Sequence, residues 1–184
     1  MPMIWTNTPS KDLPSHYCLW LTKAQRLSHH FEHQGAKITL KILNMSVREL
    51  RPHERQALNI STIDTKGYVR EIVLIDEKKG ITLSHARVSV NPSDQETIAL
   101  FNTLGARLIG ENLLHHDAHI KRGSFRFAEA EADDAQHVLP PKVSSSTPSF
   151  AFAPWSRYSV FSRDAQSWLV ITETLAPLLA SWDI

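Results

Sequence analysis

A charged side chain lies inside a stretch that otherwise suits the interior of a sheet. Residues 67–75 read Gly-Tyr-Val-Arg-Glu-Ile-Val-Leu-Ile, and apolar residues on both faces are typical of a central strand. Strand alternation places Arg70 on the same face as Tyr68, Ile72 and Leu74. Because a buried guanidinium without an anion is strongly unfavourable, Arg70 needs a partner, either a structural carboxylate or the carboxylate of a ligand.

A carboxylate in a similar setting follows far downstream, in residues 168–175. Alternation there places Glu173 on the same face as Leu169, Ile171 and Leu175. An arginine on one apolar strand face and a glutamate on another are what a small polar site inside a sheet core would contain. The residues alone support two interpretations about equally. Arg70 and Glu173 form a buried structural ion pair, or both belong to a ligand site.

The other reactive residue types give weaker signals. Two histidine groups, at 29, 30 and 33 and at 115, 116 and 119, have helix-compatible ligand spacings. Neither has an acidic or cysteine partner in a zinc motif, so we expect surface imidazoles and no metal site. Cys18 has no evident paired base and is expected to be a packed apolar thiol. No glycine-rich phosphate loop occurs, and the basic residues are scattered, so we expect no nucleic-acid partner.

Length and composition indicate one soluble domain that spans residues 1–184. Apolar residues make up 42% of the chain, charged residues 21%, and the net charge is +1, so no strong field favours a polyanionic or cationic partner. A single cysteine excludes an internal disulfide and suits a reducing compartment. The N-terminus does not have the pattern of a signal peptide, and no apolar run approaches the roughly 20 residues of a membrane span. We therefore expect a cytoplasmic monomer.

Helical spacing of apolar residues begins after Ser15, a good N-cap, and continues to Gly35. The spacing favours one continuous amphipathic helix with Leu27 in the core. The alternative is a break near Leu27, because Ser28 is a second possible cap. Two short helices would then leave free backbone N–H groups near Leu27, a feature that binds anions.

The order of elements suggests an internal duplication. Two short helices and three strands are followed by two more short helices and three more strands, and the strand connections are compatible with antiparallel pairing, so the predicted class is α+β. Within the third strand, His85 and Arg87 share one face while Ala86 and Val88 share the other. Residues 1–14 are predicted to be irregular, and residues 129–154 a flexible, solvated insertion.

Several short segments, in matching order and spacing from about residue 19 to 178, carry a resemblance to a known family. They are residues 31–35, 68–74, 86–87, 104–105, 109–110, 155–157 and 169–173. On these segments the chain resembles the bacterial chorismate pyruvate-lyases. That family makes 4-hydroxybenzoate and pyruvate from chorismate, as the first step toward ubiquinone.

The resemblance implies a fold and a set of site residues. The fold would be a six-stranded antiparallel sheet built from a duplicated unit, with the ligand in a closed pocket under helical flaps. Arg70 would grip the ring carboxylate together with the backbone amides of Leu27 and Ile109, and Glu173 would meet the ring hydroxyl. Glu173 would act as a base or only position the substrate. Arg87 is the candidate cation for the enolpyruvyl carboxylate, and no cofactor is implied.

Two rival functions remain at this point. One is a non-catalytic domain of the same fold that binds small aromatic acids, as in the effector domains of transcription regulators. Such domains are fused to a DNA-binding module, for which we expect no room before Leu19. The other is a degenerate relative that binds 4-hydroxybenzoate without turnover. The lyase is the expected function.

Overall fold

Seven β-strands form one antiparallel sheet in the computed structural model, which confirms the expected α+β class. The structure describes residues 3–61, 63, 65–110, 117–140 and 151–184, and the element counts refer to these residues. In space the strands follow the order β1-β2-β3-β7-β6, and both β4 and β5 pair with the outer side of β6. Their bounds are β1 (Ile38–Glu49), β2 (Lys66–Asp76), β3 (Ile81–Val90), β4 (Ile120–Arg122), β5 (Arg126–Glu129), β6 (Trp155–Arg163) and β7 (Gln166–Leu175).

The seventh strand arises because the outer strand of the second half is divided. The short strands β4 and β5 pair antiparallel with opposite ends of β6. Between them the Gly123 N–H still donates to the Val160 carbonyl at 2.8 Å before the chain leaves the ladder. The first strand of each half lies at an edge and the third strands, β3 and β7, pair at the centre. This is the arrangement that a duplicated unit produces.

Five α-helices and one 3₁₀ helix cover the two faces of the sheet. On one face lie α1, α2, α4 and the 3₁₀ helix, which bury their apolar residues against β2, β3 and β7. The opposite face packs against α3 and α5. The bounds are α1 (Ser15–Thr22), α2 (Leu27–His33), α3 (Pro52–Ala57), α4 (Gln95–Leu104), α5 (Ala132–Val138) and the 3₁₀ helix (Pro177–Ser181).

The N-terminal helical region is two helices, so the continuous helix favoured by the spacing was wrong. Arg26 has an extended backbone, with φ −126° and ψ 95°. A helix cannot continue through a residue with these angles, so α1 and α2 are separate. The apolar spacing continues across the break because both helices bury residues in the same cluster, among them Trp20, Leu21, Leu27 and Phe31. The loop between α1 and α2 is thereby held over the sheet.

The predicted insertion at 129–154 is folded in its first part. Helix α5 packs against the sheet, and Asp134 is only 2% exposed. Both of its carboxylate oxygens accept hydrogen bonds from the Arg51 guanidinium, at 2.6 and 2.7 Å. An acidic, alanine-rich segment can thus be buried because a distant arginine neutralises it. Residues 141–150 of the predicted insertion, and residues 111–116, lie outside the described part of the chain.

Two buried histidines on the α3 and α5 face make folding stability depend on pH. Burial lowers the pKa of both His53 and His85 from 6.5 to about 4. Between pH 6.5 and 4 the unfolded chain therefore binds more protons than the folded chain, and stability falls as the pH falls. Each histidine contributes at most about 1.4 kcal/mol per pH unit in this window.

We expect His85→Gln to reduce the fall in unfolding free energy between pH 7 and pH 5, measured by urea denaturation. His29→Gln, at an exposed position, serves as the matched control and leaves the slope as in the wild type. An unchanged slope in His85→Gln would contradict burial of a neutral imidazole at this position.

Candidate ligand-binding cavity

A cavity of about 100 Å³ lies between the sheet and the helices that cover its first face. Its floor is formed by alternate residues of β2, β3 and β7, and its roof by residues 25–28, between α1 and α2, and residues 108–110, after α4. The charged groups that line it are Arg26, Arg70, Arg122 and Glu173, among the residues that the structure describes. Three cations and one anion make the cavity positively charged.

Arg70 is fully buried and only partly hydrogen-bonded. Its Nη2 donates to the carbonyls of Gly105 and Arg107, at 2.8 and 2.9 Å. Its Nε and Nη1 have no hydrogen-bond partner in the described part of the chain. Burial lowers the pKa of this guanidinium, which is the sign of a charge that no carboxylate compensates. The backbone carbonyls orient the guanidinium beside the cavity and leave it without an anion.

Glu173 is bonded to two arginines, and neither of them is Arg70. Its Oε2 accepts from Arg157 Nε at 2.8 Å and from Arg122 Nη2 at 3.3 Å. Arg157 is itself fully buried, and its Nη1 donates to the Trp20 and Leu21 carbonyls of α1. Within the described residues Oε1 accepts no hydrogen bond, so one carboxylate oxygen stays available at the cavity wall.

No ion pair joins Arg70 to Glu173. Of the two interpretations drawn from the residues, a direct structural pair is therefore not what the structure contains. Strands β2 and β7 are separated by β3, so the two backbones lie about 10 Å apart. Arg70 and Glu173 therefore line the same cavity from two strands that are not neighbours, with a cation on one strand and a carboxylate on the other.

Leu27 and Ile109 both lie in the roof of the cavity and are buried. Leu27 is the first residue of α2, where backbone N–H groups have no acceptor within the helix. The structure therefore brings Leu27, Arg70, Ile109 and Glu173 to one cavity. The roles assigned to them by the resemblance remain predictions.

Arg87 does not reach the cavity, and this assignment was wrong. Its neighbours Ala86 and Val88 line the floor, so Arg87 points to the opposite face of β3. There its Nε donates to Glu54 Oε1 at 2.7 Å and its Nη1 donates to Glu71 Oε1 at 2.8 Å. Arg87 belongs to a buried structural charge network under α3.

Arg122 and Arg157 are the site residues that sequence reasoning missed. Arg157 lies in one of the segments that carry the resemblance, but its contact with Glu173 was not inferred. Arg122 is in a three-residue strand with too few residues for a clear alternation. The available signal was Glu173 itself, because a carboxylate on an apolar strand face also requires a cation.

The structure gives no group of three metal-ligating side chains among the residues it describes. The rings of His29 and His33 lie 4.5 Å apart, while His115 and His116 fall outside the described residues. Burial raises the pKa of the Cys18 thiol, which disfavours the nucleophilic thiolate. In the part of the chain that is described, no helix is long and apolar enough to cross a membrane.

Comparison with known sequences gives matches over nearly the whole chain. The model of the family described as "Chorismate lyase" matches residues 3–181. "Probable chorismate pyruvate-lyase 1" of Pseudomonas fluorescens is 26% identical over 178 residues, which cover 94% of this chain and 89% of that protein. "Probable chorismate pyruvate-lyase" of Albidiferax ferrireducens is also 26% identical, and the match covers 86% of this chain and 80% of that protein.

Comparison with solved structures gives matches to possible transcriptional regulators and to separate effector and ligand-binding domains. The effector domain of PhnF from Mycobacterium smegmatis has a TM-score of 0.53 at 13% identity, over 82% of this chain and 88% of that chain. The possible transcriptional regulator YydK of Bacillus subtilis has a TM-score of 0.53 at 14% identity. The match covers 83% of this chain but only 63% of the YydK chain. At this identity the likeness shows the fold alone.

Arg70 and Arg157 are both fully buried but differ in their partners, and this difference should be visible in the stability of the ligand-free protein. We expect Arg157→Met to lower the free energy of unfolding by at least about 2 kcal/mol, because it removes the shorter of two bonds to Glu173 and leaves the buried Trp20 and Leu21 carbonyls without this donor. Arg70→Met should change it by no more than about 1 kcal/mol, because the removal of an uncompensated charge offsets the loss of two bonds to carbonyls. Urea denaturation of both variants measures the difference. Equal destabilisation would mean that Arg70 is already satisfied by the protein.

Proposed function

The chain belongs to the chorismate lyase family, and from this premise we propose that it eliminates pyruvate from chorismate and releases 4-hydroxybenzoate. The family is one of lyases, and the proposal extends that activity to this chain. The product is a precursor of ubiquinone, so we place the reaction at the first step toward that quinone.

The bonding of Arg70 is the observation that supports this proposal most strongly. A guanidinium at 0% exposure beside a cavity, with no partner for Nε and Nη1 among the described residues, is unfavourable in the ligand-free protein. The carboxylate on the chorismate ring supplies the missing acceptors and charge. Leu27 and Ile109 in the roof would add backbone N–H donors to the same carboxylate.

Glu173 is proposed to bind the C4 hydroxyl group at the other end of the ring. Glu173 lines the cavity, its Oε1 accepts no hydrogen bond from the described residues, and two arginines hold its Oε2 in place. A fixed acceptor opposite Arg70 determines both the direction and the plane of the ring. Orientation of this kind lowers the barrier because the substrate reacts from one conformation.

The proposed chemistry is an elimination that makes the ring aromatic. The C4–H proton leaves, the C3–O ether bond breaks, and the electron pair of the C4–H bond completes the ring of 4-hydroxybenzoate. The enolpyruvate that departs with the ether oxygen takes up a proton at carbon and becomes pyruvate. Aromatisation drives the reaction, so the protein must chiefly hold the ring, exclude water and accept a proton.

A function without turnover is the competing proposal. The solved structures of the same fold include an effector domain of a regulator, and such a domain needs only to bind its ligand. The positively charged cavity suits an aromatic acid in either case. The two functions differ in whether chorismate is converted, which an assay decides.

We expect the purified protein to release 4-hydroxybenzoate and pyruvate from chorismate in equal amounts, followed by absorbance and by lactate dehydrogenase. Arg70→Met and Glu173→Ala should each lower kcat/KM by at least about tenfold, because each removes a charge-assisted hydrogen bond to the substrate. Arg48→Gln is the matched control, since Arg48 is half-exposed and pairs with Glu71 outside the cavity.

Two results would contradict the proposal. Tight binding of 4-hydroxybenzoate by a wild-type protein that makes no product would favour the non-catalytic function. Full turnover by Glu173→Ala would exclude the role given to that carboxylate while leaving the fold unaffected.

A further inference from the structure

The charges around Glu173 do not balance. Arg122 and Arg157 both donate to the same oxygen, Oε2, and each guanidinium carbon lies 4.3 Å from the centre of the Phe125 ring. Among the described residues two cations therefore share one carboxylate, which leaves one positive charge in a largely buried environment. Burial lowers the pKa of Arg122 to about 10, and Glu173 offsets this only in part.

Arg122 is the member of this cluster that reaches the cavity. Arg157 is fully buried behind Glu173, whereas Arg122 lines the cavity wall with its side chain 19% exposed. Its Nε donates to Ser159 Oγ at 2.8 Å and its Nη1 donates to the Gln25 carbonyl at 2.7 Å. These bonds, with the one to Glu173, use three of its five N–H groups. One N–H on each of Nη1 and Nη2 has no acceptor among the described residues.

We propose that Arg122 binds a second anionic group of the ligand, at the Glu173 end of the cavity. The cavity would then select compounds with two acidic groups, one held by Arg70 and the other by Arg122. This proposal deepens the function proposed above and rests on it, because chorismate carries a second carboxylate on its enolpyruvyl ether. It replaces Arg87, which lies on the wrong face of the sheet.

Position and rigidity favour Arg122 over the remaining cation of the cavity, Arg26. Arg26 is exposed at the start of α2, and its side chain makes no hydrogen bond to the described residues. A free, hydrated side chain loses more entropy on binding than one already fixed by three hydrogen bonds. Arg122 also holds the roof through Gln25, so an anion bound to it would lie under the loop that joins α1 to α2.

Two aromatic probes distinguish binding of the second carboxylate from binding of the first, and neither probe is converted by the protein. The probes are 4-hydroxybenzoate and 3-(carboxymethoxy)-4-hydroxybenzoate, which adds an ether-linked carboxylate to the same ring. The measured quantity is the ratio of their Kd values, obtained by isothermal titration for wild type, Arg122→Gln, Arg122→Lys and Arg26→Gln. Binding of 4-hydroxybenzoate by each variant reports that the cavity is intact.

We expect the wild-type protein to prefer the dicarboxylate, and Arg122→Gln to reduce this preference by at least about tenfold. Arg122→Lys should retain part of it because the charge remains, and Arg26→Gln should change it by less than about threefold. An equal loss of both ligands in Arg122→Gln would show that Arg122 only positions Glu173. A loss of preference in Arg26→Gln alone would assign the second acid to Arg26. Either result overturns the proposal, whether or not the protein converts chorismate.

Discussion

The central constraint of the structure is a buried guanidinium, Arg70, which the described residues orient but do not neutralise. Arg70 is held by two backbone carbonyls, and its remaining donors face no acceptor among the described residues. Such a group costs folding free energy, and a ligand carboxylate that supplies the missing partner recovers it on binding. Among the described residues, the sheet and the roof segments bury the guanidinium without placing a carboxylate beside it.

The two faces of the sheet differ in how their buried charges are paired. Under α3 and α5 the arginines Arg48, Arg51 and Arg87 pair with the carboxylates Glu54, Glu71 and Asp134, so the charges of these groups balance. On the cavity face the arginines outnumber the carboxylates among the described residues. The arginines on the two faces therefore differ in their partners. Those under α3 and α5 are paired by the protein, and those at the cavity are the ones for which we propose an anionic ligand.

Local periodicity predicted what depends on neighbouring residues. Strand alternation assigned Arg70 and Glu173 to the faces on which they lie. The same alternation placed Arg87 on the face opposite Ala86 and Val88, which argued against Arg87 as the cation for the second carboxylate. Contacts between distant residues could not be predicted. The burial of α5 depends on Arg51, 83 residues from Asp134, and the helix break at Arg26 leaves the apolar spacing unaltered. The third cation of the site, Arg122, comes from a strand too short to show a pattern.

The orientation of a bound aromatic acid tests the central claim most directly. A crystal structure with 4-hydroxybenzoate should show its carboxylate within about 3 Å of Arg70 Nε or Nη1, with its hydroxyl group on Glu173 Oε1. A ligand bound in the reverse orientation, or bound outside the cavity while Nε and Nη1 stay unpaired, would contradict the account.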